Sequence, residues 1–425
     1  MQNIFFKKDS NFINATLLLT TANIFSAVIN YILQILYSRN FSVENFGIYN
    51  ATNGLTFYYS FFLFPLANKI ITDISQFSGD NEKLLTFLNF SSKRLFMCVT
   101  LISTPAILLM FGMGLYTKLP VLFIFSMILV CVISNLYIIF QGFLQGMHLF
   151  YRLAFITFLL PIVRFFGTYI IFYNGLSINA IFIFAVIFQV ITCIFYYIAL
   201  PTSIKAHKIH DTNLIQQFST KIFYRNFIIY ILQTGIIYLL FSFMMQSDTL
   251  LIKIFFSEYD TGLYSSASLF GKAIVFLSTA VTLVLFPYVT KNTADDKSSL
   301  AILLKGIIVN LFIAGSGVVI LFCFPQLIVM FFGEKYHQAI PIMKYIGIAF
   351  LPLSILNILF TFYLAKQRFD CFIPLFIAFI TEIVYIVFFH TVLMHIILSF
   401  FISGIIGCIG FFLLEVIYSL KRKSI

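Results

Sequence analysis

The chain of 425 residues is 61% hydrophobic and only 10% charged, with a mean hydropathy of +1.02, whereas an ordinary soluble domain is about 25% charged. This composition excludes a soluble globular protein and indicates an integral membrane protein. A formal net charge of +11 would suit a nucleic-acid-binding protein, but the charge distribution described below argues against nucleic acid as a partner.

Twelve apolar segments are each long enough to cross a hydrocarbon core of about 30 Å as a helix, which takes roughly 20 residues. None of them alternates in the way that a transmembrane barrel strand does. The sequence therefore predicts an all-α membrane protein of about twelve transmembrane helices. The predicted spans are 13–37, 47–68, 95–115, 119–141, 153–173, 178–200, 226–252, 262–288, 302–324, 340–364, 372–390 and 396–420.

Basic residues lie mostly on one side of the predicted membrane. With the N-terminus inside, nineteen of the 26 lysines and arginines fall on cytoplasmic ends and loops, three fall inside predicted spans and four fall on the outer side. This is the positive-inside bias, so both termini are predicted to be cytoplasmic. The four outer residues are Arg39, Lys118, Lys253 and Lys335.

The longest hydrophilic connection covers residues 201–225, near the midpoint of the chain. We predict that it is a cytoplasmic linker between an N-terminal six-helix bundle, 1–200, and a C-terminal six-helix bundle, 226–425. Six is an even number of spans, so the two bundles have the same orientation and are related by an axis along the membrane normal.

The first predicted helix carries polar side chains on one face. Intervals of three and four residues place them together, and a face rich in amides is not expected to be turned toward lipid. The face either forms a hydrogen-bonded seam with a neighbouring helix or lines a wet cavity. The second predicted helix adds Asn53, and Arg39 lies between the two helices at their outer end. The face of the first helix consists of Thr16, Thr20, Asn23, Ala27, Asn30 and Gln34.

Three basic residues lie inside predicted spans, where a charge at the centre costs about 2.5–3.5 kcal/mol. Arg164 is about halfway through the fifth span, and Lys344 is early in the tenth, close to the outer interface. Lys272 follows the start of the eighth helix at Gly262 by ten residues, which places it about 15 Å below the outer surface, near the bilayer midplane. Each of them faces a wet cavity, pairs with a buried acid or extends to the interface.

Lys272 is the strongest candidate for a cavity cation, and Ser268 shares its helix face. The alternative is a structural ion pair with an acid such as Asp248, near the outer end of the seventh span, or Glu382, in the middle of the eleventh. These two acids are also candidates to bind a coupling proton or Na⁺, although each is equally suited to pairing with a cation. The sequence predicts no metal site and no cofactor.

The outer loop of each half begins with similar residues. Phe41–Tyr49 has the sequence FSVENFGIY, and Phe256–Tyr264 has the sequence FSEYDTGLY, at an offset of 215 residues. The offset aligns Gly47 with Gly262. Both copies lie between the first two helices of a six-helix half, so they indicate a parallel repeat of the kind found in transporters that rock two bundles around a central site.

Short motifs along the whole chain resemble those of the Wzx-type polysaccharide repeat-unit (O-antigen) flippases. This family belongs to the MOP superfamily, together with the MATE multidrug exporters and the lipid II flippases. The motifs are FSVENFGIY after the first helix, DTLLI from Asp248, TGLYS from Thr261, the FP-x-x-x-K sequence that ends the eighth helix, and the QG and AKQR turns after the fourth and tenth helices.

The resemblance implies movement of an undecaprenyl-pyrophosphate-linked oligosaccharide from the inner to the outer leaflet of the bacterial cytoplasmic membrane by alternating access, for O-antigen, capsule or exopolysaccharide assembly. It implies this lipid-linked oligosaccharide, membrane lipids and other polysaccharide-assembly proteins as partners. Helices one, two, seven and eight line the cavity in the family, and Lys272 occupies a place where a basic residue is expected. The candidate substrate-binding residues are Lys272, Arg164, Asn23, Asn30, Gln34, Asn53, Ser268, Lys344 and Arg39.

The chemistry of these residues agrees with such a substrate, because a cation stabilises a diphosphate and amides and hydroxyls bind sugar hydroxyls. A MATE-like ion-coupled multidrug antiporter of organic cations would prefer carboxylates in its cavity, whereas the deepest charges of the fifth and eighth helices are basic. A membrane glycan polymerase would be expected to show a large outer loop or an acidic catalytic cluster, and the predicted outer loops are short. We therefore predict a transporter, not an enzyme.

Overall fold

The computed structural model describes residues 12–76, 96–201, 221–291, 296–366 and 368–423. The described residues form helices and no strand, which confirms the all-α class. The α-helices are α1 Phe12–Asn40, α2 Val43–Gln76, α3 Phe96–Ile102, α4 Thr104–Tyr116, α5 Val121–Gly146, α6 Phe150–Tyr173, α7 Ile178–Ala199, α8 Lys221–Gln246, α9 Asp248–Phe255, α10 Glu258–Lys291, α11 Asp296–Cys323, α12 Leu327–Phe332, α13 Ile340–Ala365, α14 Phe372–Phe388 and α15 Leu393–Lys423. Short 3₁₀ helices cover Glu334–Ala339 and Phe369–Cys371.

Seven helices among the described residues are long and apolar enough to cross a membrane, and an eighth span is obtained if α8 and α9 are counted as one bent segment. This confirms a multi-pass membrane protein, while the total of about twelve spans and the side on which the termini lie stay predictions. The seven spans are Val121–Gly146, Phe150–Tyr173, Ile178–Ala199, Ser299–Cys323, Glu334–Ala365, Phe369–Phe388 and Leu393–Tyr418.

The prediction of one continuous seventh helix over 226–252 is wrong, because the helix breaks at Ser247. The axes of α8 and α9 differ by 62° at this break. Asp248 begins α9, where an acidic residue in the first turn is favoured by the exposed N–H groups of the helix start. The third predicted span is also interrupted, at Ser103, and Pro105 follows in the first turn of α4, a position at which proline's missing N–H removes no helical hydrogen bond.

The chain divides into two compact units. Unit 1 comprises Met1–Asn40 and Tyr58–Ile236, and unit 2 comprises Phe41–Phe57 and Ile237–Ile425. The first part of α2 therefore belongs to unit 2 and the remainder to unit 1. Most of the predicted linker, residues 202–220, lies outside the described residues, and the predicted bundle boundaries stay a prediction.

Unit 1 has an apolar core supplied by α2, α5, α6 and α7, in which residues such as Leu66, Ile139 and Ile156 are buried. A small polar network lies beside it. The amide of Asn135 donates to the hydroxyl of Tyr59 at 2.7 Å, and this hydroxyl lies 2.8 Å from that of Ser103. The break between α3 and α4 is thus held to α2 and α5 by hydrogen bonds between buried side chains.

Unit 2 is organised around α10 and α13, which pack along one another, while α15 packs against α13 and α14 packs against α15. The first turns of α2 are fixed at one end of this unit. The ammonium of Lys335 donates to the carbonyl of Phe41, and the ring of Phe46 lies 6.0 Å from that of Phe332 and 5.9 Å from that of Tyr336. The N-terminal copy of the repeated motif therefore packs within unit 2.

The two aligned glycines of the repeat face each other where α2 crosses α10. A Cβ atom on Gly47 would lie 2.7 Å from the backbone nitrogen of Gly262 and 2.6 Å from the carbonyl oxygen of Glu258, and a Cβ atom on Gly262 would overlap the carbonyl of Val43. Both obstacles are backbone, which cannot move aside as a flexible side chain does. The crossing requires glycine at both positions.

We expect Gly262→Ala to lower the thermal stability of the purified protein, because overpacking of a closely packed contact costs about 1–3 kcal/mol. The measurement is the midpoint of thermal unfolding in detergent. Gly112→Ala is the control, since no atom lies within 4 Å of the Cβ position there. An equal midpoint for the two variants would contradict a close crossing.

Candidate functional site

A cluster of buried ionisable side chains lies in unit 2, next to the break between α8 and α9. Asp248 is fully buried, and its Oδ1 atom accepts a hydrogen bond from Nζ of Lys272 at 2.7 Å. Its Oδ2 atom accepts a hydrogen bond from the hydroxyl of Ser268. Ser268 and Lys272 are four residues apart on α10, so both point from the same face of the helix toward this carboxylate.

A second carboxylate, that of Glu382 on α14, adjoins the first. Glu382 is fully buried and accepts hydrogen bonds from the hydroxyls of Ser247, at 3.2 Å, and of Ser403 on α15, at 3.4 Å. It interacts electrostatically with Asp248. The break at Ser247 therefore lies beside both acids. Ser247 donates to Glu382, and the residue that follows it is Asp248.

Tyr264 completes the cluster from α10. The residue is fully buried, with its hydroxyl within hydrogen-bonding reach of Asp248. It interacts electrostatically with both Asp248 and Glu382. Tyr264, Ser268 and Lys272 are spaced by four residues and therefore follow one stripe of the helix. From the sequence alone, this spacing places Tyr264 on the same face of α10 as Lys272, but not beside the two acids.

Lys272 is the member of the ion pair that reaches a surface. Its side chain is 20% exposed, compared with 0% for the side chain of Asp248. The two possibilities that the sequence left for Lys272 are therefore not exclusive. Its ammonium is paired with a buried acid, while its side chain is only partly buried.

The predicted site residues of unit 1 lie on α1 and α6. Asn23 and Asn30 are exposed, and the amide of Asn30 donates to the carbonyl of Ser26 at 2.9 Å. Gln34 is half-buried, and its Oε1 atom is buried without a hydrogen-bond partner among the described residues. The guanidinium of Arg164 lies 5.9 Å from the ring centre of Phe188.

Gln34 and Arg164 lie at a similar depth. The hydroxyls of Tyr37 and Thr168 are 3.2 Å apart and join α1 to α6, and the rings of Phe25 and Phe158 stack at 4.1 Å, so the two helices run parallel. Gln34 precedes Tyr37 by three residues, and Arg164 precedes Thr168 by four. Gln34 and Arg164 therefore each lie about one helical turn before the contact between Tyr37 and Thr168.

The remaining candidates lie on α1, α2 and α13. Arg39 is exposed at the last turn of α1, and Lys344 is exposed on the first turns of α13. Asn53 is half-buried on the part of α2 that belongs to unit 2, and its carbonyl accepts a hydrogen bond from Thr56 at 2.6 Å. Of the predicted set, the structure brings together Lys272, Ser268, Asp248 and Glu382.

The described residues hold no group of three or more His, Cys, Asp or Glu side chains placed to bind a metal ion. The cluster instead combines two carboxylates, one ammonium, three serine hydroxyls and one phenol. Such a set can bind an anion through the ammonium.

Solved structures of membrane transporters share the fold. The inward-facing structure of a multidrug resistance MATE family transporter of the MOP superfamily aligns with a TM-score of 0.73 at 14% identity over 96% of this chain and 100% of that one. The lipid II flippase MurJ in an inward closed conformation aligns with a TM-score of 0.71 at 18% identity over 94% of this chain and 87% of that one.

A third similar structure is a MOP superfamily transporter from Pyrococcus furiosus, with a TM-score of 0.60 at 14% identity over 94% of this chain and 95% of that one. That transporter is described as having a binding pocket of reverse polarity, which suggests a different function for it. No curated protein matches the sequence. The family model described as "Polysaccharide biosynthesis protein" matches residues 115–341, more than half of the chain, and the chain therefore belongs to this family of polysaccharide biosynthesis proteins.

Proposed function

We propose that the chain is a Wzx-type flippase that moves an undecaprenyl-pyrophosphate-linked oligosaccharide repeat unit across the bacterial cytoplasmic membrane by alternating access. The family and the shared fold of MATE and MurJ structures support a transporter in polysaccharide biosynthesis. The observation that carries the proposal is Lys272, whose ammonium is paired with a buried acid and whose side chain is partly exposed.

A diphosphate headgroup is the part of such a substrate that crosses a membrane least easily. Two unit charges 4 Å apart attract one another by about 4 kcal/mol at an effective dielectric constant of 20, compared with about 1 kcal/mol in bulk water. An ammonium at the edge of a buried cluster therefore lowers the barrier more than the same ammonium in water. Lys272 would contact the headgroup in this way.

The amides of α1 and the guanidinium of α6 are proposed to bind the remaining parts of the substrate. Asn23 and Asn30 are exposed on one face of α1, and amides supply both donors and acceptors to sugar hydroxyls. The unpartnered Oε1 atom of Gln34 is an acceptor for such a hydroxyl. Arg164, at a similar depth, would supply a second cation. Asn53, Ser268, Lys344 and Arg39 stay candidates for the same role.

The burial of the acids favours an anionic substrate over the organic cations of a MATE-like antiporter. Asp248 and Glu382 are both fully buried, whereas Lys272 is partly exposed. An approaching molecule therefore meets the positive member of the cluster first. A cation-exporting site would need the reverse arrangement, with its carboxylates at the surface.

We further propose that the chain consists of two six-helix halves, 1–200 and 226–425, with both termini in the cytoplasm. Asp248 and Glu382 are the proposed groups for coupling to a proton or Na⁺ gradient. Membrane lipids and other polysaccharide-assembly proteins are the further partners, and no reaction is catalysed.

The proposal is tested in cells from which the gene is deleted. We expect lipid-linked repeat units to accumulate in the inner leaflet, because their synthesis continues while their transfer stops. The measurement is the fraction of these glycans accessible to a membrane-impermeant reagent in spheroplasts. A normal distribution of the glycans, together with increased sensitivity to cationic drugs, would instead support the antiporter.

A further inference from the structure

An apolar groove lies between α1 and α6 in unit 1. It extends from Leu18 to Phe25 on α1 and from Tyr151 to Phe158 on α6, and seven residues of helix are about 10 Å long. Its volume is about 610 Å³, within the range of about 300–1,000 Å³ in which proteins bind small ligands. Seven of its eight lining residues are aliphatic or aromatic, and the eighth is Thr21.

The groove has small residues between its aromatic ones. Ala22 and Ala154 are buried, whereas Phe155 is 64% exposed. The ring of Phe25 stacks on that of Phe158 at 4.1 Å. Both of these residues lie at the end of the groove that is farther from the helix starts, so the stacked rings close this end. The groove is therefore a short slot that is open toward the starts of α1 and α6.

A hydrocarbon chain is the occupant that suits this slot. The helical period places Phe25 on the side of α1 opposite to the exposed amides of Asn23 and Asn30, and next to Ile24 and Val28, which are exposed and apolar. Its other wall, α6, is one of the membrane-spanning helices. Because an apolar recess of this kind offers water no hydrogen bonds and takes up apolar molecules instead, we expect a lipid chain to fill it.

The open end of the groove carries a positive charge. Tyr151 lies in the first turn of α6 and is followed by Arg152, which is exposed. The guanidinium of Arg152 donates to the carbonyl of Ala199, the last residue of α7, at 2.7 Å, and this bond uses one of its five N–H donors. A guanidinium binds phosphate oxygens well. A lipid whose chain lies in the groove therefore has a favourable place for an anionic headgroup at this end.

We propose that the groove between α1 and α6 binds the isoprenoid chain of the lipid-linked oligosaccharide, with the diphosphate at the Arg152 end. A single slot suits a lipid with a single chain, whereas a phospholipid has two. The amides of Asn23 and Asn30, on the other face of α1, suit a headgroup that carries sugars, which a phospholipid lacks. This inference rests on the proposed function, because it takes the transported lipid to be a polyprenyl diphosphate.

The test measures equilibrium binding of two radiolabelled ligands to the purified full chain in detergent. Undecaprenyl diphosphate has the chain and the charged group, and inorganic pyrophosphate has the charged group alone. We expect Thr21→Phe, which adds a ring inside the groove, to lower the affinity for undecaprenyl diphosphate about 10-fold, or about 1.4 kcal/mol, and to leave pyrophosphate binding unchanged. Phe155→Ala, which removes one wall at an exposed position, should have the same two effects.

A matched control and a charge variant accompany these two. Ile187→Phe adds a ring at an exposed apolar position of α7 outside the groove and should bind both ligands as the wild type does. Arg152→Gln should bind undecaprenyl diphosphate less tightly and should bind undecaprenol, the uncharged alcohol with the same chain, as the wild type does. If Thr21→Phe does not fold, Phe155→Ala decides.

Three results would overturn the assignment of the groove. The wild type binds no undecaprenyl diphosphate, or Thr21→Phe and Phe155→Ala both bind it as tightly as the wild type does. In the third, unlabelled phosphatidylglycerol displaces undecaprenyl diphosphate as well as the unlabelled polyprenyl lipid does, which would make the groove a general phospholipid site.

Failure of the proposed headgroup site gives a different result. If Lys272→Gln binds inorganic pyrophosphate as tightly as the wild type, or if neither protein binds it, the role of Lys272 is refuted. The groove is still decided in that case, because Thr21→Phe is compared with the wild type on undecaprenyl diphosphate. Conversely, normal undecaprenyl diphosphate binding by the groove variants, together with weaker pyrophosphate binding by Lys272→Gln, would refute the groove alone.

Discussion

Replacing Lys272 by glutamine is expected to abolish export of the surface glycan, because it removes the charge that is proposed to contact the headgroup and whose side chain is partly exposed. The single substitution also leaves the buried carboxylate of Asp248 without its cation, and breaking a buried pair in this way costs about 3–5 kcal/mol. Loss of export in the single variant would therefore combine an effect on folding with an effect on transport.

A double variant separates the two effects. Lys272→Gln combined with Asp248→Asn removes both charges of the ion pair, so neither is left buried without the other, and we expect near-normal abundance in the membrane with export still absent. The measurements are surface glycan by blotting and protein by quantitative immunodetection. Lys272→Arg keeps the charge and should retain export at a reduced rate. Normal export by the double variant would remove Lys272 from the substrate site.

Replacing Arg368 by alanine is expected to destabilise unit 2 by about 2–3 kcal/mol without changing substrate preference. Its guanidinium donates to the carboxylates of Glu415 and Asp370 at 2.7 Å each, and it lies between the rings of Tyr363, at 4.5 Å, and Tyr418, at 4.3 Å. Arginines that are paired and stacked in this way contribute more to the free energy of unfolding than exposed ion pairs do, and an exposed ion pair contributes about 0–1 kcal/mol. The measurement is the midpoint of thermal unfolding in detergent.

Asp370→Asn is the matched control for Arg368→Ala. The side chain of Asp370 is 41% exposed, whereas that of Glu415 is 16% exposed, so we expect its loss to cost less than about 1 kcal/mol. Equal destabilisation by the two variants would show that stacking on the rings of Tyr363 and Tyr418 adds nothing to the stability of unit 2. The AKQR motif, which first supported a family resemblance, would on this account be retained for the packing of its arginine.

The membrane class and the helical fold could be predicted because they depend on composition and on the length of apolar segments. The pairing of Lys272 with Asp248 could be named only as one of several possibilities, since the two residues are 24 positions apart and lie on different helices. Their contact depends on the break at Ser247, and a serine in an apolar segment does not predict that a helix ends there. A 62° bend changes the direction of every side chain that follows it.

The contacts of Ser247 and Ser403 with Glu382 could not be predicted from the sequence for a related reason. Serine in a helix usually bonds to the carbonyl three or four residues earlier, as that of Ser354 does, so its presence in the sequence does not indicate a partner on another helix. Tyr264 was noticed only as part of the repeat. Its place beside two acids follows from packing of α9, α10 and α14, which periodicity along one helix cannot supply.

The glycine crossing of α2 and α10 has a consequence for motion within unit 2. Gly47 and Gly262 approach each other directly, and the atoms that a Cβ would meet there are mostly backbone. No side chain that could change rotamer therefore lies between the first turns of α2 and α10 at this point, and we expect the two segments to move together.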